Sequence, residues 1–160
     1  MDVKSAFLND NLKEGVYVQQ PPGYAFAGEE KKVYKLRKAL YGLQQAPRAW
    51  NAKLDATLKK MGFQQSAHEA AMYRRGSGRT VLLVGVYVDD LIITGAGGEL
   101  EAFKTQMKQT FDMSDLGLLS FYLGVEVHQD ATRITFRQTH YARGSWSSGA
   151  WMVAIQPTLR

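Results

Sequence analysis

The chain has 160 residues, 45% of them apolar and 22% charged, with no cysteine and a net charge of +5, which is the composition of a globular domain with one core. No apolar run approaches the roughly 20 residues of a membrane-spanning helix, and no signal sequence opens the chain, so neither a membrane partner nor secretion is expected. Disulfides and cysteine zinc sites are excluded, and His68, His128 and His140 fall at no metal-binding spacing, so they read as structural or surface groups.

The charge is unevenly placed. Residues 1–80 hold 14 basic against 7 acidic side chains, whereas residues 81–160 hold 6 against 8. A concentration of positive charge in one half suits a polyanionic partner, and suits a plain solvated face about as well.

In chain order, Asp2 to Leu8 is strand-like and is broken by Asn9-Asp10-Asn11, residues that tolerate turns. Val16 to Val18 is a short strand stopped by Pro21-Pro22-Gly23. Val33 to Leu43 interleaves Lys35, Arg37 and Lys38 with Tyr34, Leu36, Leu40 and Tyr41, a pattern that fits a nucleic-acid surface or an ordinary amphipathic strand and turn. Pro47 opens a helix whose apolar stripe is Trp50, Leu54, Leu58 and Met61, ending at Gly62. That stripe is assigned to core packing. Ala71 to Arg74 and Arg79 to Val88 form a hairpin over Gly76-Ser77-Gly78. After Gly95 to Gly98, a second helix carries Leu100, Phe103, Met107 and Phe111 on one face, and Phe121 to His128 with Ile134 to Phe136 close the chain as a hairpin. The fold class that follows is α+β, an α/β sandwich with helices on one face of a mostly antiparallel sheet.

Asp89 and Asp90 stand between two apolar runs, Val81 to Val88 and Leu91 to Ile93. The runs read as strands buried on both faces, with the two aspartates at the turn between them. Hairpin turns favour glycine or asparagine at positive φ, and Asp-Asp only half qualifies. Two like charges among apolar strands resist desolvation, so one stays protonated or cations sit between them. With Asp2 at the end of another strand-like segment, three carboxylates from two segments can hold two Mg²⁺ ions roughly 3.5 to 4 Å apart for in-line phosphoryl transfer.

The segments MDVKSAFLN (1–9), VYVQQPPGY (16–24), KALYGLQQAPRAW (38–50), YVDDLI (87–92), DLGLLSFYLGVEV (115–127) and 138–142 occur in one order and spacing. Together they resemble the reverse transcriptase domain of copia-type LTR retrotransposons. That resemblance implies a polymerase palm fold over residues 1–142 and an RNA-directed DNA polymerase reaction. In it Asp2, Asp89 and Asp90, with the Val3 backbone carbonyl, bind two Mg²⁺, or Mn²⁺, and a primer 3′-hydroxyl attacks the α-phosphate of a dNTP. It further implies nucleotide contacts from Phe7, Gln45, Tyr87 and Val88, and primer or template contacts from Lys38, Arg48, Tyr87, Leu123 and Gly124. Phe7 matches a position that packs against the sugar and excludes a 2′-hydroxyl, with simple core packing as its other reading.

The implied partners are an RNA or DNA template with primer, dNTPs, and the fingers, integrase and RNase H parts of a polyprotein. The implied location is intracellular, in a cytoplasmic virus-like particle. Asp10 stands where the family usually has glycine, Gln44 where it commonly has lysine, and Glu69-Ala70 where it tends to have Asp-Pro. Because the family's domain extends upstream of Met1, this reading expects a partial domain with little activity alone, or else a basic nucleic-acid-binding remnant.

After Ala142 the family pattern Ile-Leu-Glu-x-x-Gly-Met-x-x-Cys-Asn-Pro is replaced by GSWSSGAWMVAIQP (144–157). Codons for Gly144 to Ser147, read from their third base, permit ATC, CTG and GAG, which spell Ile-Leu-Glu. Gly149 to Trp151 likewise permit Gly-Met, and Val153 to Gln156 permit Cys-Asn-Pro. Residues 143–160 are therefore expected to be an out-of-frame, poorly packed tail, which the encoding nucleotides would test.

Overall fold

A computed structural model describes residues 1–9, 11, 12 and 14–147. The chain forms two compact units, one over Met1–Asp115 and one from Leu116 onward. Every strand pairing in both is antiparallel, so the fold is α+β as the element pattern implies.

The first unit is built on strands β1 (Asp2–Val3), β2 (Tyr17–Gln19) and β3 (Val33–Lys35), helix α1 (Ala46–Lys60), strands β4 (Gln64–Gln65), β5 (Met72–Arg75), β6 (Leu82–Tyr87) and β7 (Asp90–Gly95), helix α2 (Gly97–Thr110) and strand β8 (Met113–Ser114). Six strands form one sheet in the order β4-β5-β6-β7-β1-β8. Leu82 and Val84 on β6, Tyr73 on β5, Leu91 on β7, Val3 on β1 and Met113 on β8 are all buried, and the register places them on one face. Trp50, Leu54 and Leu58 of α1 and Phe103 and Met107 of α2 complete that core. Each such side chain, fully buried, stabilises the unit by about 1.5–3 kcal/mol.

Helices α1 and α2 of this unit pack on this face. Leu83, Gly85 and Ile92 on the other face are half-buried and Tyr87 is exposed, which corrects the expectation of strands buried on both faces. An apolar run alone does not distinguish a doubly buried strand from one whose outer positions are merely aliphatic. The long hairpin is also shorter than its sequence suggests, because Gly78–Thr80 form a 3-10 turn and β6 starts only at Leu82. Gly76 makes that turn possible. Its φ is +77°, and a Cβ there would lie 2.6 Å from the Thr80 carbonyl oxygen.

Helix α1 starts with Pro47 in its first turn and ends with Lys59 and Lys60 at its negative pole, an arrangement that uses proline's missing N–H and the helix dipole together. The rings Trp50 and Phe111 meet edge to face at 5.2 Å, and Phe63 and Phe103 lie 5.0 Å apart. Buried Tyr73 donates its hydroxyl to Asp55 of α1 at 3.1 Å, and burial together with that carboxylate pushes its phenol up to about 12. It therefore remains a neutral donor that ties the sheet to the helix. Strands β2 and β3 form a separate two-stranded sheet. Their connecting loop is pinned by Gln20, which donates to the Glu29 and Lys32 carbonyls and accepts from the Phe26 amide.

In the second unit, β9 (Phe121–Tyr122), β10 (Val125–Gln129) and β11 (Ile134–Arg137) form a three-stranded meander, followed by α3 (Thr139–Ser147). The expected strand over Phe121 to His128 is thus broken into two by a turn at Leu123-Gly124, both at positive φ. The β10–β11 turn is closed by Asp130, whose carboxylate accepts from the Thr132 and Arg133 amides and the Thr132 hydroxyl, and these bonds hold its carboxyl below the usual range. Helix α3, which no sequence signal marked, exposes Tyr141 and Trp146. The rest of the proposed out-of-frame tail, 148–160, lies outside the described residues.

Candidate active site

Strand β1 is only two residues long, and its register decides what the site can be. Asp2 pairs with Asp90 on one side and with Ser114 on the other. The amino group of Met1 donates to the Leu91 carbonyl at 2.9 Å, and the Leu91 amide donates to the Met1 carbonyl at 2.8 Å, which locks that register. Directly opposed residues of antiparallel strands have Cβ atoms about 4.5–5.5 Å apart, so the carboxylates of Asp2 and Asp90 are neighbours on the sheet face opposite α1 and α2. Tyr87, opposite Asp90 across the hairpin, shares that face.

Asp90 is not in the turn. The loop joining β6 to β7 is Val88-Asp89, and Asp90 is the first residue of β7, which corrects the placement of both aspartates at the turn. Asp89 is held from behind, since its carbonyl accepts the Val3 amide at 3.0 Å. Burial is the main cause that pushes the Asp90 carboxyl up from its ordinary value, and the charges of Asp89 and Asp2 push it further in the same direction. The charges of Asp89 and Asp2 thus bear on Asp90, the carboxylate between them in the pairing.

Val88 has φ +54°, a left-handed conformation that is an outlier for a β-branched residue. Such strain persists only where surrounding structure over-determines it. One determinant is Trp50, whose indole N–H donates to the Val88 carbonyl at 2.6 Å. By spacing alone Trp50 belongs to a core stripe that carries no chemistry. An indole among otherwise aliphatic stripe residues was the available sign, since a buried Trp N–H needs a partner.

The remaining implied residues are spread more widely. Val3 is buried and can offer only its backbone. Phe7 is also buried, with its ring 4.5 Å from that of Tyr41. Gln45, Lys38 and Arg48 are exposed, Gln45 immediately before α1 and Arg48 in its first turn. Leu123 and Gly124 belong to the second unit, at the tip of the β9–β10 hairpin. A cavity of about 340 Å³ lies next to the turn, lined by Phe7, Trp50, Tyr73, Val86 and Val88 among others.

Three carboxylates supply the hard oxygen donors that magnesium and manganese take, and the pressure of like charge on Asp90 is what a divalent cation relieves. In donor chemistry and strand register the set fits such ions. Among the described residues, no three His, Cys, Asp or Glu side chains stand gathered as a finished metal-holding group.

Residues 1–145 match the family described as reverse transcriptase (RNA-dependent DNA polymerase). The chain belongs to the reverse transcriptase family. Its relatives are retrotransposon proteins: a transposon Ty5-1 protein of Saccharomyces cerevisiae is 36% identical over 132 residues, covering 82% of this chain and 43% of the yeast protein. The Pol polyproteins of transposon TNT 1-94 from Nicotiana tabacum and transposon RE1 from Arabidopsis thaliana are each 37% identical, over 82% and 88% of this chain and 10% of each polyprotein. This reverse transcriptase chain thus spans about two fifths of the yeast relative and a tenth of the plant ones. No solved structure matches it.

Proposed function

We propose that the chain carries the palm of an RNA-directed DNA polymerase, with Asp2, Asp89 and Asp90 as its metal-binding carboxylates. The observation that carries this reading is the Asp2–Asp90 pairing, which brings together two acidic residues 88 positions apart in sequence on the sheet face opposite α1 and α2. Those carboxylates, with the Val3 carbonyl, would hold two Mg²⁺, and the ions would lower the pKa of a primer 3′-hydroxyl and offset charge on the departing pyrophosphate. The chain's own part is to orient and to exclude. Tyr87 and Val88 stand exposed beside the carboxylates, where a primer end and a nucleotide would lie. Gln45 and Arg48 at the start of α1, and Lys38, would meet nucleotide and template phosphates, while Phe7 against Tyr41 would limit room at the sugar. Leu123 and Gly124 would contact the primer. The polyprotein partners and the intracellular particle remain part of this proposal.

A second reading, a basic nucleic-acid-binding remnant without turnover, is favoured by the exposed Lys31, Lys32, Lys35, Arg37 and Lys38. Primer extension on an RNA template with Mg²⁺ separates the two. Extension that Asp89→Asn abolishes supports the polymerase, and extension that survives the substitution refutes it. Salt-sensitive binding of a primer–template duplex with no extension supports the remnant.

A further inference from the structure

We propose that Trp50 positions the Asp89 turn: by holding the Val88 carbonyl, its indole N–H fixes the central peptide of the turn and with it the direction of the Asp89 carboxylate. The functional consequence rests on the reading of Asp89 as a metal ligand, but the structural one does not.

A two-residue hairpin loop with positive φ at its first residue and not at its second is the type II′ pattern, and that is the pattern of Val88-Asp89. Type II′ differs from type I′ chiefly by a rotation of roughly 180° of the peptide between the two central residues. Here that peptide is Val88 C=O to Asp89 N–H. Its carbonyl is the group the indole grips, at 2.6 Å, near the short end for N–H···O bonds. Val is among the residues least suited to this position, whereas Gly is the usual choice, so the local sequence does not select the turn.

Trp50 can impose it because Trp50 cannot move. The residue is 2% exposed, sits in the second turn of α1, and has Phe111 edge-on against its ring. On the other side, the Val3 amide holds the Asp89 carbonyl. Asp89 is thereby clamped between a helix and a strand, one carbonyl on each. The ordinary alternative is that the Val88 carbonyl merely satisfies a buried indole, in which case the turn would keep its shape without that bond.

The test removes the N–H and keeps the shape. Trp50→benzothienylalanine replaces the indole nitrogen by sulfur in the full chain, with the melting temperature confirming that the fold survives. Two readouts are taken: hydrogen exchange of the Val3 amide, which reports whether the Asp89 carbonyl stays in place, and Mn²⁺ affinity by paramagnetic relaxation. Loss of one well-placed hydrogen bond predicts exchange faster and Mn²⁺ affinity weaker by about five- to tenfold. Adding Val88→Gly, whose glycine reaches positive φ without strain, restores both to within about twofold. Unchanged Val3 exchange in the folded variant overturns the inference, and so does failure of Val88→Gly to restore it, since a packing defect would not be rescued at the turn. If the natural chain binds no Mn²⁺ yet Val3 exchange responds as stated, the positioning role stands and the metal reading falls.

Discussion

Two hairpins of this chain close on two-residue loops that begin with a branched aliphatic residue in left-handed conformation: Val88 at φ +54° and Leu123 at φ +49°. The difference lies in what holds each. Leu123 is followed by Gly124 at φ +84°, with nothing within 4 Å of a hypothetical Cβ on the glycine, so the β9–β10 turn is a type I′ loop that its own second residue makes possible. Val88 is followed by an aspartate and has no glycine within the turn. Its strain is met by Trp50 on a helix and Val3 on a neighbouring strand. One turn is local chemistry and the other is tertiary structure, and the second is where the acidic residues are.

The largest expected effect concerns what the braced turn presents. Asp89→Asn should reduce Mg²⁺-dependent primer extension by on the order of a thousandfold, whereas Leu123→Ala, at the unbraced turn, should cost far less, as steady-state extension assays would show. Equal losses would erase the functional contrast between the turns. Next, Gly124→Val should destabilise the β9–β10 hairpin by about 1–2 kcal/mol, because nothing but backbone conformation requires glycine there. Amide exchange in β9 and β10 reads that loss.

The third prediction concerns pH. The folded Asp90 carboxyl titrates above its ordinary value of 3.8, so the folded state holds its proton more tightly than the unfolded state does. Stability therefore falls as pH rises from the unfolded value through the folded one. Asp90→Asn should accordingly raise the melting temperature at neutral pH, with the gain vanishing below about pH 4. A gain that persists in acid would show that charge is not its cause. Smallest of all, Val88→Gly should change stability by less than about 1 kcal/mol, since relief of left-handed strain is offset by the entropy of a new glycine. A large loss would mean that the valine side chain, and not its backbone, holds the turn.

Much of the fold could be read from the chain because periodicity reports burial directly. The stripe Trp50, Leu54 and Leu58 and the pair Phe103 and Met107 became the buried faces of α1 and α2. Two-residue strands such as β4, β8 and β9 left no such period, and among its described side chains α3 buries no apolar stripe. The acidic site was legible as composition and motif, but the loop's true position at Val88-Asp89, one residue earlier than Asp89-Asp90, was not. In the hairpin Leu82 pairs with Gly95 and Tyr87 with Asp90, a register that leaves only Val88 and Asp89 for the loop.

By itself the sequence determined the family, the alternation of helices and strands, and the presence of three candidate carboxylates, because these depend on residue type and spacing along one chain. Tertiary structure alone decided that Asp2 faces Asp90 and that an indole from α1 grips the Val88 carbonyl. Both are contacts between segments far apart in sequence, whose geometry is fixed only when the sheet and its helical layer pack together.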